Sequence, residues 1–177
     1  MSNKVSEIDI FNLQIIRNGV KSLIQEAAIN DSSDLVVLDI APQIHNGARE
    51  FFKNAKIMTL DIDIDSGADF IADLCENNSE KIPSNFFDVI ICTEVLEHTL
   101  NPFNAVAEMH RLLKSNGKVY VSTPFNFRIH GPLPDCWRFT KYGLTSLFSK
   151  FDSVDIKETE SEDRFLMPIQ YYTIATK

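Results

Sequence analysis

The 177-residue sequence has little cysteine, and its cysteines are not arranged in pairs. Cys75, Cys92 and Cys136 are an odd number of thiols without close CxxC spacing. Cys92 lies within an apolar run, where a thiol behaves as a small hydrophobic group. This cysteine usage fits a protein of the reducing cytoplasm.

Long apolar runs are also absent. No run approaches the ~20 residues that a helix needs to span a bilayer. The amino-terminal stretch MSNKVSEIDIF has acidic and polar residues where a signal peptide would have its apolar core. We therefore expect a chain that is neither exported nor inserted into a membrane.

Positive charge is scarce relative to negative charge. The chain has 17 Lys and Arg against 25 Asp and Glu, a net charge of -8, and a computed pI near 4.9. Affinity for nucleic acid comes largely from basic side chains that displace counterions from the phosphate backbone. A large nucleic acid partner is therefore disfavoured.

The chain has no internal repeat, low-complexity tract or linker, so its length predicts one domain. Apolar runs with the features of buried strands alternate with segments of helical periodicity, which predicts a doubly wound α/β sheet. The predicted helices cover 5–29, 47–54, 102–114 and a segment that begins at Thr140. The predicted strands or extended segments cover 35–38, 56–60, 69–74, 89–92, 119–121, 153–158 and 165–175.

The stretch 87–124 carries the clearest functional signal: FDVIICTEVLEHTLNPFNAVAEMHRLLKSNGKVYVSTP. An apolar strand leads directly into Glu94, Glu97 and His98, a helix follows, and a second strand begins near Val119. Such a unit places polar groups at the carboxyl edge of a parallel sheet, where ligands bind in this class of fold. The sequence of this stretch resembles the fourth-strand to fifth-strand region of class I S-adenosylmethionine-dependent methyltransferases. A second segment, HGPLPDCWRFTKYGL at 130–144, resembles the DxWRFTxxGL element of a subset of bacterial members.

The resemblance implies a Rossmann-like, mostly parallel sheet with helices on both faces and a C-terminal antiparallel hairpin strand. It also implies one methyltransferase-like domain over 1–177. Within that domain we expect a covering helix over 1–30, a cofactor-binding core over 35–124, and an acceptor loop, helix and final strands over 125–177.

Acidic residues follow each of the first three predicted strands. The interval from Asp39 to Asp61 is close to the roughly 20 residues at which nucleotide-binding folds place an acid for the ribose. Asp63 or Asp65 can take the place of Asp61, and a solvated acidic loop is the alternative interpretation. By the resemblance, the expected contacts of S-adenosyl-L-methionine are Asp39, Ala41, Gln43, Gly47, Asp61, Asp63, Asp73, Leu74, Thr93 and Glu94.

The turn after the first strand departs from the DxGxGxG pattern of the related enzymes. The sequence DIAPQIHNG places side chains and a proline at the glycine positions, and only Gly47 remains. Either Ala41 and Gly47 suffice in a rearranged loop, in which Gln43, His45 or Asn46 contact the ligand, or cofactor affinity has been lost.

Glu94, Glu97 and His98 can share one face of a helical turn, so two carboxylates and an imidazole can converge on one divalent ion. The segment EVLEH resembles the corresponding motif of the metal-assisted O-methyltransferases of the ubiquinone pathway and of the small-RNA 2′-O-methyltransferases. That resemblance implies catalytic roles for the three residues and a metal such as Mg²⁺, with His130 as a further ligand. His98 can instead act alone as a general base, or Glu97 and His98 can simply cap the loop.

Residues 130–138 form a loop with a third polar cluster. His130, Asp135, Trp137 and Arg138 are the expected substrate-binding residues, since loops on a rigid scaffold commonly carry recognition groups. In the alternative interpretation Trp137 anchors the loop and Arg138 pairs with Asp135.

The resulting prediction is an S-adenosylmethionine-dependent methyltransferase that acts on a hydroxyl group of a small molecule or saccharide precursor. The rival hypotheses are a degenerate methyltransferase-like binding or partner subunit without activity and, less favoured because of the net charge, a nucleic acid methyltransferase. The sequence leaves the formation of a homo-oligomer open.

Overall fold

In the computed structural model, which describes residues 5–42, 46–161 and 164–177, one sheet contains seven strands. The strands are β1 (Val36–Ile40), β2 (Lys56–Asp61), β3 (Phe70–Ile71), β4 (Phe87–Thr93), β5 (Leu113–Pro124), β6 (Ser153–Thr159) and β7 (Gln170–Thr176). The helices are α1 (Glu7–Ala27), α2 (Pro102–Leu112) and α3 (Lys141–Leu147), and short 3₁₀ turns cover Gly47–Glu50 and Leu96–His98.

The strand order is β3-β2-β1-β4-β5-β7-β6. Strands β1 to β5 pair in parallel, whereas β7 is antiparallel to both β5 and β6. The order reverses between β1 and β4, and open α/β sheets bind ligands at this switch point. The predicted Rossmann-like sheet with a C-terminal antiparallel hairpin is confirmed.

Helix α1 covers one face of the sheet. The Ser6 hydroxyl accepts a hydrogen bond from the backbone N–H of Asp9 at 3.2 Å and so caps its first turn. Leu23 and Ile24 are buried in a cluster that also contains Val37 and Ile91 from the sheet. Among the described residues, no helix, α1 included, is long and apolar enough to cross a membrane.

Helices α2 and α3 cover the opposite face. Alternate residues of β4 separate the two layers: Val89 and Ile91 belong to the cluster beneath α1, and Ile90 and Cys92 belong to the larger cluster with α2 and α3. The core on this side includes Met109, Leu112, Leu144 and Phe148. Helices lie on both faces, as predicted, bury most of β4 and fix the position of the residues that follow it.

Several predicted elements were too long, among them the extended segment 165–175, in which β7 begins only at Gln170. The expected helix 47–54 is only the 3₁₀ turn Gly47–Glu50, and the expected strand 69–74 is reduced to Phe70–Ile71. A turn alone connects β2 to β3, and the 3₁₀ turn Gly47–Glu50 is the regular element between β1 and β2. Both shortened elements therefore belong to short crossover connections. The helix predicted over 102–114 ends at Leu112, because Leu113 is already extended at the start of β5.

Candidate active site at the carboxyl edge of the sheet

A cavity of about 550 Å³ lies beside the carboxyl ends of β1 and β4. One wall comes from α1, a second from the turn after β1, and a third from Thr93, Glu94 and the loop that contains His130. Of the expected site residues, the cavity is lined by Asp39, Ala41, Gly47, Thr93, Glu94, His98 and His130. The topology therefore brings residues of the turn after β1, of the EVLEH segment and of the loop with His130 to the same cavity.

The turn after β1 is built around Asp39, which is only 3% exposed. Its Oδ2 accepts a hydrogen bond from the backbone N–H of Ala48 at 2.7 Å. Burial raises the pKa of Asp39 to about 6, although this hydrogen bond and the charge of Arg49 oppose the shift. Asp39 thus closes the turn and keeps a carboxyl group that can be protonated near neutral pH.

Two residues of this turn have left-handed backbone conformations, Ala41 with φ 50° and Gly47 with φ 52°. A Cβ on Gly47 would lie 2.2 Å from Asp39 Oδ2, so only glycine fits there. Gly47 therefore allows the close approach that the related enzymes obtain with several glycines. Gln43 and His45, two of the expected ligand contacts, lie outside the described residues.

The other expected cofactor residues lie next to β2 and β3 and are not part of the cavity wall. Asp61 Oδ1 accepts from Asp63 N at 3.0 Å, and Asp73 Oδ1 accepts from Cys75 N at 2.8 Å. Leu74 is buried in the core. Asp61 and Asp73 therefore each stabilise a turn, and Asp63 is exposed on the surface.

Glu94 directly follows β4 and has a positive φ of 54°. Its Oε1 accepts hydrogen bonds from Ser122 Oγ at 2.8 Å and from Gln170 Nε2 at 2.6 Å. Burial raises the pKa of Glu94 to about 7, and these two hydrogen bonds oppose the shift. Glu94 is held firmly at the cavity wall, but it is not one of the residues that converge around Glu97.

Glu97, His98 and His130 form the chemically distinctive group of the site. The Nε2 atoms of His98 and His130 each lie 3.7 Å from Glu97 Oε1, and one ligand atom from each residue falls within 4.8 Å of the others. Glu97 is fully buried, and within 5–42, 46–161 and 164–177 neither of its carboxyl oxygens has a hydrogen-bond partner. Burial, reinforced by the charge of Glu94, raises the pKa of Glu97 well above its usual range.

The two imidazoles are oriented by their Nδ1 atoms. His98 Nδ1 lies 2.9 Å from the carbonyl oxygen of Pro134, so in the neutral ring Nδ1 donates and Nε2 keeps its lone pair. His130 Nδ1 lies 3.1 Å from Asp135 Oδ2, a contact with ion-pair distance but without hydrogen-bond geometry. Burial lowers the pKa of His130, with the charge of Asp135 opposing. Both rings therefore direct Nε2 toward Glu97.

Asp135 and Arg138 bind each other and the loop. Asp135 accepts hydrogen bonds from Arg138 Nη1 at 2.5 Å and Nη2 at 2.8 Å, and from the backbone N–H of His130 at 3.0 Å. Arg138 holds the pKa of Asp135 down to about 2. The indole Nε1 of Trp137 donates to the carbonyl oxygen of Thr99 at 2.8 Å. None of these three expected substrate contacts lines the cavity, and together they fix the loop that carries His130.

The sequence analysis did not identify the contribution of α1. Leu13, Ile16, Val20 and Ile24 give the cavity an apolar wall, and Arg17 and Lys21 add two positive charges four residues apart. Neither cation forms an ion pair within the described ranges. The i, i+4 spacing of two basic residues on a predicted covering helix was a usable signal, because like charges at that spacing destabilise an isolated helix.

Comparisons with known proteins agree with this geometry. A crystal structure described as a SAM dependent methyltransferase from Archaeoglobus fulgidus superposes with a TM-score of 0.70 at 17% identity, covering 97% of this chain and 100% of the other. A crystal structure described as an S-adenosylmethionine dependent methyltransferase from Mesorhizobium loti superposes with a TM-score of 0.67 at 13% identity, covering 92% and 100%. At these identities the likeness establishes the fold.

Among curated proteins, the ubiquinone biosynthesis O-methyltransferase of Pseudomonas paraeruginosa is 42% identical over 48 residues, which are 27% of this chain and 20% of that protein. The enzyme of the same name from Glaesserella parasuis is 40% identical over 55 residues, covering 31% and 21%. The chain thus spans about a fifth of the length of the curated relatives it matches. The sequence model of the family described as "Methyltransferase domain" matches residues 18–121. Since this match covers more than half of the sequence, the chain belongs to the methyltransferase domain family, with the class I S-adenosylmethionine-dependent fold.

Proposed function

We propose that the protein transfers a methyl group from S-adenosylmethionine to a hydroxyl group of a small molecule or saccharide precursor. The observation that carries this proposal is the buried, unpartnered Glu97 carboxyl group with two imidazole nitrogens 3.7 Å from Oε1. A buried carboxyl group is destabilising unless it is paired or protonated, and two imidazole nitrogens are the groups that approach this one in the described part of the chain. Removing a proton from the hydroxyl group of the acceptor requires a base or a Lewis acid beside that group.

The residues that would hold the cofactor are those of the cavity wall at the ends of β1 and β4. Ala41 and Gly47 leave backbone accessible beside Asp39, and Thr93 and Glu94 approach from the neighbouring strand. Arg17 and Lys21 supply positive charge suited to the carboxylate of the amino-acid part of the cofactor. Asp61 and Asp63, next to β2, are the acids proposed for the ribose hydroxyls.

The residues present also fit a divalent metal ion. Ligand atoms that surround one ion at 2.0–2.2 Å lie roughly 3–4 Å from each other, which is the range of the Glu97 to imidazole distances. Two imidazoles beside one carboxylate favour a divalent transition metal over Mg²⁺, which prefers oxygen ligands. Such an ion, when bound, would lower the pKa of the acceptor hydroxyl. Glu97, His98 and His130 would hold it.

The protein itself performs the remaining work. Methyl transfer to oxygen is an in-line displacement, so alignment of the two reactants contributes most of the rate enhancement. The Pro134 carbonyl keeps the Nε2 lone pair of His98 available, and that atom can take the proton directly when no ion is bound. The apolar residues of α1 exclude water from the opposite wall of the cavity.

A noncatalytic binding subunit is the second candidate function. Ala41 stands at the first glycine position of the turn after β1 and the rigid Pro42 follows it, and Asp39 Oδ2 already accepts a hydrogen bond from Ala48. If this turn does not admit the cofactor, the fold remains as a scaffold for a partner.

Isothermal titration calorimetry with S-adenosylhomocysteine tests the proposal against this rival. We expect saturable binding at micromolar to submillimolar ligand, and SAM-dependent release of S-adenosylhomocysteine in the presence of hydroxylated small molecules or sugars. The variant H98A should lose turnover while it keeps cofactor affinity. Absence of binding at millimolar ligand would contradict the enzyme and favour the noncatalytic subunit.

A further inference from the structure

Gln170, at the start of β7, is a buried polar residue that the sequence analysis did not connect with the site. Its side chain is 0% exposed, and its Nε2 donates to Glu94 Oε1 at 2.6 Å. Its own Oε1 is buried, and no described residue forms a hydrogen bond with it. A half-satisfied amide in a protein interior is destabilising, so stability alone does not explain Gln170 at this position.

Ser122 of β5 supports the same oxygen of Glu94. Its hydroxyl donates to Glu94 Oε1 at 2.8 Å and accepts from Glu94 N at 3.2 Å. Glu94 N also lies 3.1 Å from the Ser122 carbonyl oxygen. In the described part of the chain both side-chain donors are on Oε1, and no donor reaches Oε2. The carboxylate is therefore fixed in rotation with Oε1 anchored, and Glu94 lines the cavity.

Helix α1 prevents Gln170 from turning away. A Cβ on Gly19 would lie 2.7 Å from Gln170 Oε1 and 1.8 Å from the Tyr172 hydroxyl oxygen. The close approach of the helix at Gly19 thus confines the amide on the side away from Glu94. Gln170 has little freedom except to donate to the carboxylate.

We propose that Gln170 is a positioning residue, which holds Glu94 so that Oε2 faces the cationic sulfonium group of the cofactor. This inference rests on the proposed function, because it assumes that S-adenosylmethionine occupies the cavity. An opposite charge fixed near the sulfonium stabilises S-adenosylmethionine more than the uncharged thioether of S-adenosylhomocysteine. The ratio of the two affinities therefore reports how well Glu94 is held.

A double-mutant cycle tests the role of Gln170. The wild type, Q170M, E94Q and E94Q/Q170M are titrated calorimetrically with both compounds in the presence of EDTA. We expect Q170M and E94Q each to reduce the preference for S-adenosylmethionine by about three- to tenfold. The double variant should lose no more than E94Q alone, since Gln170 acts through Glu94.

Controls separate this role from simple packing. T173V alters an equally buried position on the same strand but on the opposite face, and should leave the ratio unchanged. The exchange E94Q/Q170E rebuilds the amide-to-carboxylate pair but moves the charge to β7, so it should regain thermal stability and keep the low ratio. This exchange also decides the question if Q170M does not fold.

Two outcomes would overturn the inference and are distinguishable from failure of the proposed function. Gln170 only fills space if Q170M keeps the wild-type ratio of affinities for S-adenosylmethionine and S-adenosylhomocysteine. The same conclusion holds if Q170M lowers that ratio equally in the wild type and in E94Q. A preference restored by E94Q/Q170E would show that the charge need not be held on Glu94. Wild-type protein that binds neither compound would refute the cofactor assignment itself.

Discussion

The acids at the two halves of the strand edge differ in how their oxygens are satisfied. Next to β1, β2 and β3, Asp39, Asp61 and Asp73 each accept a backbone hydrogen bond that closes a local turn. Beyond β4, neither carboxyl oxygen of Glu97 forms a hydrogen bond with any described residue. The fold gives the first group a structural role and leaves the Glu97 carboxyl group without one.

This difference locates chemistry better than the acidic sequence pattern does. An acid that makes the hydrogen bonds of a turn is explained by the turn, whereas a buried acid without partners is destabilising and requires a functional explanation. Asp39 belongs to the first category, and it also lines the cavity. Predictions that separate stability from binding therefore probe the comparison directly.

The largest expected effect is at Gly47. G47A introduces a Cβ 2.2 Å from Asp39 Oδ2 at a φ of +52°, so we expect a loss of about 3 kcal/mol in the free energy of unfolding. G67A is the matched control, because Gly67 has φ +70° and nothing within 4 Å of the added Cβ. It should lose only about 1 kcal/mol. Equal losses in urea unfolding would show that the contact with Asp39 is unimportant.

A pH effect of similar size should come from Asp39. Its pKa is raised from 3.8 to about 6 in the folded protein, so the folded state binds this proton more tightly than the unfolded state. The contribution of Asp39 to the free energy of unfolding should therefore fall as pH rises from about 4 to about 6, by on the order of 3 kcal/mol.

D39N carries no titrating group and isolates this contribution. The wild type should lose more stability than D39N between pH 4 and pH 7 in urea unfolding, although the buried glutamates add their own slopes to both proteins. Parallel pH curves for the two proteins would mean that Asp39 is not desolvated and that its turn is open to water.

Some of these structural features follow from the sequence pattern, and others depend on contacts between distant segments. The strand-helix alternation and the EVLEH segment predicted the sheet and the position of Glu94 and His98 at its carboxyl edge, because buried strands have strong apolar patterns. The helix predicted over 47–54 and the strand predicted over 69–74 were too long, since local patterns do not show how much of a crossover is present. Gln170 was missed because only the tertiary fold brings β7 beside Glu94, and Arg17 was missed because the fold brings α1 to the cavity.

The loop residues illustrate the same limit. Asp135 and Arg138 were expected to contact a substrate, and in the structure they bind each other and the backbone of His130. The i, i+3 spacing is compatible with both interpretations, so the sequence left them open. The structure separates the two interpretations, because Asp135 and Arg138 do not line the cavity and Asp135 instead holds the backbone of His130.

An intermediate effect, of opposite sign, is expected at Glu97. E97M removes a buried carboxyl group that has no partner, so the metal-free protein should gain about 1–2 kcal/mol in the free energy of unfolding. Turnover should be lost, because the base or metal ligand is gone. Stability is measured by urea unfolding in EDTA, and turnover by release of S-adenosylhomocysteine.

Glu108 provides the matched control for Glu97. It is also buried, but its two oxygens accept from Asn78 N and from Arg111. E108M should therefore destabilise the protein by about 3 kcal/mol, since it leaves a guanidinium and a backbone N–H without partners. A gain for E108M or a loss for E97M would contradict the distinction between satisfied and unsatisfied acids.

The smallest expected effect concerns the basic pair of α1. Arg17 and Lys21 line the cavity, and an exposed charge pair contributes on the order of 1 kcal/mol to binding of an anionic group. R17A/K21A should therefore weaken S-adenosylhomocysteine binding about five- to tenfold and leave 5′-methylthioadenosine, which lacks the amino-acid carboxylate, unchanged. K56A, at the opposite edge of the sheet, controls for the loss of net charge. If both ligands weaken equally, α1 contributes shape instead of charge, and the polar recognition of the cofactor lies entirely along the strand edge.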